Sequence, residues 1–122
     1  MVQTKYKIIK EKYQLNSYEG SSGLIIAEIQ VVDNLELTVV DIYGLIDSDG
    51  YATTTMHHIL SDLAPILNNK KHNIVLGGDF NTSIQFDEQY PNQFPSHKLV
   101  FDRIKDFGLE NCIQKFFGKH VQ

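Results

Sequence analysis

The sequence holds no tryptophan, a single cysteine and three prolines among its 122 residues. A lone Cys112 excludes an intramolecular disulfide, and nothing near it has the paired spacing of a zinc site. A reducing, cytoplasmic setting is the simplest expectation. Positive charge is scarce in another sense. No Lys/Arg block exceeds Lys70-Lys71, and the net charge is −4 with a pI near 5.6. A stripe that neutralises many DNA phosphates is therefore missing, and tight, salt-dependent nucleic-acid binding by this chain alone is not expected. Long apolar runs are missing too. None approaches a membrane span, and Lys5, Lys7, Lys10 and Lys12 lead into no apolar signal region.

What is present suits one soluble domain with a buried core: 42% of residues are hydrophobic and 21% charged. Residues 1–20 are the least readable, with Tyr6 to Ile9 a candidate short strand and Asn16 to Gly23 rich in turn formers. Leu24 to Val32 and Leu35 to Tyr43 are β-branched and apolar. Asp33-Asn34 between them suits a two-residue turn, so a long β-hairpin is expected. In its second arm Leu35, Leu37, Val39, Asp41 and Tyr43 share one face and Glu36, Thr38, Val40 and Ile42 the other. Both faces become apolar toward the end, which predicts burial on both sides.

Met56, Ile59, Leu60, Leu63, Ile66 and Leu67 recur at steps of three and four, the stripe of a helix beginning near Thr53, with Pro65 on the opposite side. Asn73 to Leu76 follows as a short strand running into Gly77-Gly78-Asp79. Thr82 to Phe94, broken by Pro91 and Pro95, is expected as an irregular surface loop. Ser96 is a candidate N-cap for a second helix that turns Val100, Phe101, Ile104 and Phe107 inward. Gly108 and Leu109 have the pattern of a Schellman ending, with Leu109 packed on Ile104. Past it the chain runs to Phe116 and Phe117 with no evident capping device or further element.

The segment that carries chemistry is Gly77 to Asn81. A carboxylate at the C-terminal end of an apolar strand stands where open α/β sheets place their ligand sites. Asp79 holds that position. The preceding glycines permit a tight turn and close approach of a ligand, and Asn81 points an amide to the same side if the chain stays extended. Carboxylate plus amide suits a phosphate and its metal: one activates water and holds a cation, the other stabilises charge on the phosphoryl oxygens.

With GGDFN at 77–81, VVDIYG at 39–44, the helix leading to LNNKKHNIVL at 67–76, and FDRIKDFGLENC at 101–112, the sequence resembles the endonuclease/exonuclease/phosphatase superfamily. The likeness covers roughly residues 20 to 115, the middle of a domain about twice as long. It implies an α/β fold, part of a four-layer α/β sandwich made of β-hairpin, helix, strand, loop and helix. Residues 1–122 would then form a single partial domain. It also implies Mg²⁺, with Mn²⁺ as an alternative, and hydrolysis of a phosphoester, nucleic acid among the substrates, by in-line water attack. Asp79 would orient or deprotonate that water and contact the metal. Asn81 would bind the scissile phosphate, and Tyr43 would contact it through its hydroxyl.

The family's early Asn and metal-binding Glu have no match in residues 1–20, where Glu11 and Glu19 lack strand context. Its late Asp and closing Ser-Asp-His have no match downstream. An incomplete site is expected, and with it a second reading: a non-catalytic piece that self-associates through an exposed sheet face or edge. Plainer roles stand beside the sharp ones. Asp79 and Asn81 could form an ordinary turn, and Tyr43 could be a core or rim aromatic. His57 and His58 diverge by about 100° on a helix and are expected in solvent. His97 is expected at the surface of a helix start, and Cys112 as a small buried residue.

Overall fold

A computed structural model describes residues 6–10, 23–69, 71, 73–91 and 96–118. Glu11, Glu19 and most of the turn-rich segment lie outside them. The described chain is mixed α/β. Its four-stranded sheet runs in the order β1 (Lys7–Lys10), β2 (Leu24–Val32), β3 (Leu35–Tyr43), β4 (Ile74–Asp79). The first three strands are antiparallel neighbours, and β4 lies parallel to β3. Only Asn34 of the β2–β3 turn takes a positive φ, +65°, a conformation that Asn tolerates better than most residues.

The parallel pairing of β3 and β4 requires a crossover, and α1 (Thr53–Leu67) supplies it. Its apolar stripe is the expected one: Met56, Ile59, Leu60 and Leu63 are fully buried and Ile66 and Leu67 nearly so, whereas Pro65 lies exposed. They pack on Ile26, Val40 and Ile42 of the sheet and on Val100 of α3 (Lys98–Asp106). Ile104, Phe107 and Leu109 pack on the same core, and Gly108 ends α3 at φ +89° with its N–H donated to the Lys105 carbonyl. The inner bond of the Schellman pattern is thus formed, at a residue whose missing Cβ suits that φ.

Several local expectations are corrected by tertiary contacts. The end of β3 is covered on one face only. Val40 and Ile42 are buried beneath α1, while Asp41 and Tyr43 on the other face are exposed. The stretch after the motif is not wholly irregular, because Ser83 caps α2 (Ile84–Gln89) by accepting the Gln85 N–H. Ser96 does not cap α3. That helix start is held by Asp87 of α2, whose carboxylate accepts the N–H groups of His97 and Lys98 at 2.9 and 2.6 Å. His97 is buried, at 3% exposure, rather than on the surface. His57 is half-buried and bonded to Arg103, whereas His58 is exposed as expected. Cys112 is exposed, at the start of α4 (Cys112–Phe117), which Asn111 caps and Gly118 closes at φ +67°. Among the described residues no helix is long and apolar enough to cross a membrane.

Candidate active site

Because β3 and β4 are parallel, their carboxyl ends lie side by side. Tyr43 is the register partner of Asp79, and Asp41 that of Gly77. Strand alternation puts Asp41, Tyr43 and Asp79 on one face, opposite the face that Val40 and Ile42 bury under α1. Two of the three residues expected from the motif are therefore neighbours across the strand pair. Asp41 joins their face, a residue to which the sequence reading gave no role. Its signal was a charge set between Val39-Val40 and Ile42-Tyr43, the more apolar half of the arm. This face is open at Tyr43 and Ile25 near the carboxyl end of β3 and at Val75 on the edge strand, each about half exposed, while Ala27 and Ile29 of β2 are buried.

The chain does not stay extended beyond Asp79. Asn81 adopts φ +48°, so its side chain is not carried to the same side by strand alternation. Two hydrogen bonds account for the bend. The Asn81 N–H donates to Asp79 Oδ1 at 3.1 Å, a local side-chain bond that Asp makes two residues on. The Asn81 side-chain Nδ2 donates to the Gly44 carbonyl at 2.8 Å. Gly44 in turn donates its N–H to the Asp79 carbonyl at 2.7 Å. The loops after β3 and β4 are thereby pinned together, and one N–H of the Asn81 amide is left beyond the pin.

The two glycines of the motif do different things. Gly78 sits at φ +126°, and a Cβ there would lie 2.0 Å from the Ile42 carbonyl oxygen, so it permits β4 to close on β3. A Cβ on Gly77 would meet nothing within 4 Å. Close packing, against Asp41 Oδ1 as well at 2.7 Å, explains the first and leaves the second in open space. Gly44 is as constrained as Gly78, since a Cβ would lie 2.1 Å from the Phe80 carbonyl oxygen.

Beyond the pin, Thr82 is buried, and its hydroxyl has no hydrogen-bond partner among the described residues. Among those residues no group of three or more His, Cys, Asp or Glu is arranged to hold a metal ion. Mg²⁺ asks less of a protein than such a cluster, because it keeps several waters and is commonly held by one or two carboxylates together with substrate phosphate. Asp79 is exposed at a strand end, with one oxygen already oriented by the Asn81 amide, and it suits that limited part. Comparison with known proteins adds no relative: no family model matches the chain, and no curated protein matches it.

Proposed function

We propose that this chain carries one side of the active site of a Mg²⁺-dependent phosphoester hydrolase of the endonuclease/exonuclease/phosphatase type, within a partial four-layer sandwich. The observation that carries the reading is the register pairing of Tyr43 with Asp79 at the carboxyl ends of adjacent parallel strands, with the Asn81 amide immediately after. Asp79 accepts a proton from the attacking water, its carboxylate oriented by the Asn81 N–H. The Tyr43 hydroxyl and the free Asn81 amide hydrogen donate to phosphoryl oxygens as their charge grows. When bound, Mg²⁺ (or Mn²⁺) supplies positive charge against that phosphate, with Asp79 as its ligand from this chain.

Hydrolysis of a generic phosphodiester, with and without Mg²⁺, tests the reading on wild type, Asp79→Asn and Tyr43→Phe. Metal-dependent turnover that falls by roughly a hundredfold or more in Asp79→Asn supports it. Turnover unchanged by that substitution rejects Asp79 as the base.

The open sheet face supports the second reading, a non-catalytic module that associates with itself. Ile25 and Val75 are 52% and 51% exposed, and β4 is an edge of the described sheet. Unpaired edges and apolar faces promote association. Sedimentation of wild type against Ile25→Lys/Val75→Lys decides the matter. Concentration-dependent association abolished by the pair supports the module, and a stable dilute wild-type monomer rejects it.

A further inference from the structure

His97 starts α3, yet its ring is enclosed. It stacks on Phe86 of α2 with centroids 5.2 Å apart, and Tyr51, from the loop between β3 and α1, meets it edge-on at 5.7 Å. Its Nδ1 lies 3.3 Å from the backbone nitrogen of Ser83, whose N–H points to it. A ring nitrogen that accepts from a backbone amide carries no proton, so this geometry requires a neutral imidazole with its hydrogen on Nε2. The His97 N–H donates to Asp87 Oδ1. The residue therefore grips α2 twice, by its ring at the first turn and by its backbone near the middle.

Ser83 stands two residues after Asn81. A non-glycine residue in the left-handed region is disfavoured and persists only where its surroundings over-determine it. Asn81 is secured on its near side by Asp79 and Gly44. On its far side, two residues on, the chain is attached by the Ser83–His97 bond. We propose that His97 is a positioning residue for the Asp79–Asn81 loop: its neutral ring, braced by Asp87, anchors the Ser83 amide and so holds Asn81 in its bent conformation. The inference deepens the hydrolase reading and rests on it for its functional meaning, but the clamp itself is a property of the folded chain. His97 touches no group assigned to the chemistry.

Polar and aromatic groups hold the residue from three sides. Asp87 of α2 accepts its backbone N–H, and Ser83 donates to its Nδ1. Tyr51 packs against the ring from the loop before α1, and Lys98 beside it in α3 is paired with Asp102.

The test is NMR of the full chain, isotope-labelled, in wild type, His97→Phe and His97→Asn. Phe keeps an aromatic filler without an acceptor, and Asn places an acceptor oxygen where Nδ1 stood. We expect an unprotonated Nδ1 at about pH 7.5 and a Ser83 amide that exchanges roughly five- to tenfold faster in His97→Phe, with most protection kept in His97→Asn. A protonated Nδ1 in wild type overturns the proposal. So does equal Ser83 exchange in wild type and His97→Phe while β3 amides stay protected. If His97→Phe fails to fold, the wild-type tautomer and the Ser83 exchange of His97→Asn decide alone.

Inorganic phosphate with Mg²⁺ separates the two layers of the claim. If wild-type Asp79 and Asn81 amides do not respond, the hydrolase reading fails while the clamp stands. If they respond equally in wild type and His97→Phe, the positioning role fails while the site stands.

Discussion

The side-chain amide of Asn81 donates to the backbone carbonyl of Gly44 at 2.8 Å, tying the loop after β4 to the loop after β3 across 37 residues of sequence. This bond and the left-handed backbone of Asn81 can be separated by substitution. Asn81→Gly keeps the backbone conformation and loses the bond, at about 0.5–1.5 kcal/mol. Asn81→Ala loses the bond and adds the left-handed penalty, roughly 1–2 kcal/mol more. Urea denaturation should therefore rank wild type above Asn81→Gly above Asn81→Ala. The reverse order of the two variants would reject the backbone part of the account.

Gly77 and Gly78 are adjacent and should respond in opposite ways to alanine. Gly78→Ala drives a methyl into the Ile42 carbonyl from a positive φ, a fault in the range of about 1–3 kcal/mol or more. Gly77→Ala meets open space and should stay within roughly 0.5 kcal/mol of wild type. Thermal melting of both, beside Gly44→Ala as a second severe case, checks the contrast. Similar melting points for Gly77→Ala and Gly78→Ala would contradict the packing described.

Arg103 joins α3 to α1 by donating Nη1 to the His57 carbonyl at 2.9 Å and Nη2 to the Ser61 hydroxyl at 3.1 Å. Arg103→Ala should destabilise the fold by about 1–3 kcal/mol, and Arg103→Lys should recover only part, since one ammonium cannot reproduce the planar fork. Chemical denaturation measures both. Full recovery by Lys would reduce the contact to simple charge.

The same contact makes stability depend on pH through His57. Burial first, then the charges of Arg103 and His58, hold His57 below its ordinary value. The folded protein therefore binds fewer protons than the unfolded chain just below the unfolded value of about 6.5. The contribution is complete above that value and declines as pH falls through it toward the lower folded value. His57→Gln should flatten the corresponding part of a stability profile between about pH 7.5 and 5.5. A slope untouched by the substitution would assign it to other groups.

Asp87 should act with the same sign in a more acidic window. Burial raises its carboxyl, but the His97 and Lys98 amide bonds outweigh that, with help from the Ser96 hydroxyl, and the net effect is a lowered value. Its contribution is present above the unfolded carboxylate range and is lost as pH falls through the folded value. Asp87→Ala should cost about 0.5–2 kcal/mol near neutral pH, the worth of a lost helix cap, and less in acid. Equal loss at both pH values would mean that its charge contributes nothing.

Periodic signals determined most of the architecture, because each depends only on local spacing. The three-and-four stripe from Met56 to Leu67 specifies one buried helix face whatever it packs against. Alternation along Leu35 to Tyr43 specifies which residues share a sheet face, and Gly108 marks a helix end that few other residues can form. The GGDFN string likewise located the candidate site at the end of a strand. What covers a face cannot be read from the strand that presents it, so the exposure of Tyr43 and Asp41 waited on where α1 docked. Asn81 bends because Gly44 offers a carbonyl, and α3 begins where Asp87 reaches it rather than where Ser96 suggested a cap. His97 is buried because Phe86 and Tyr51 converge on it from two other segments. Each of these was decided by groups distant in sequence, whose meeting depends on the fold as a whole.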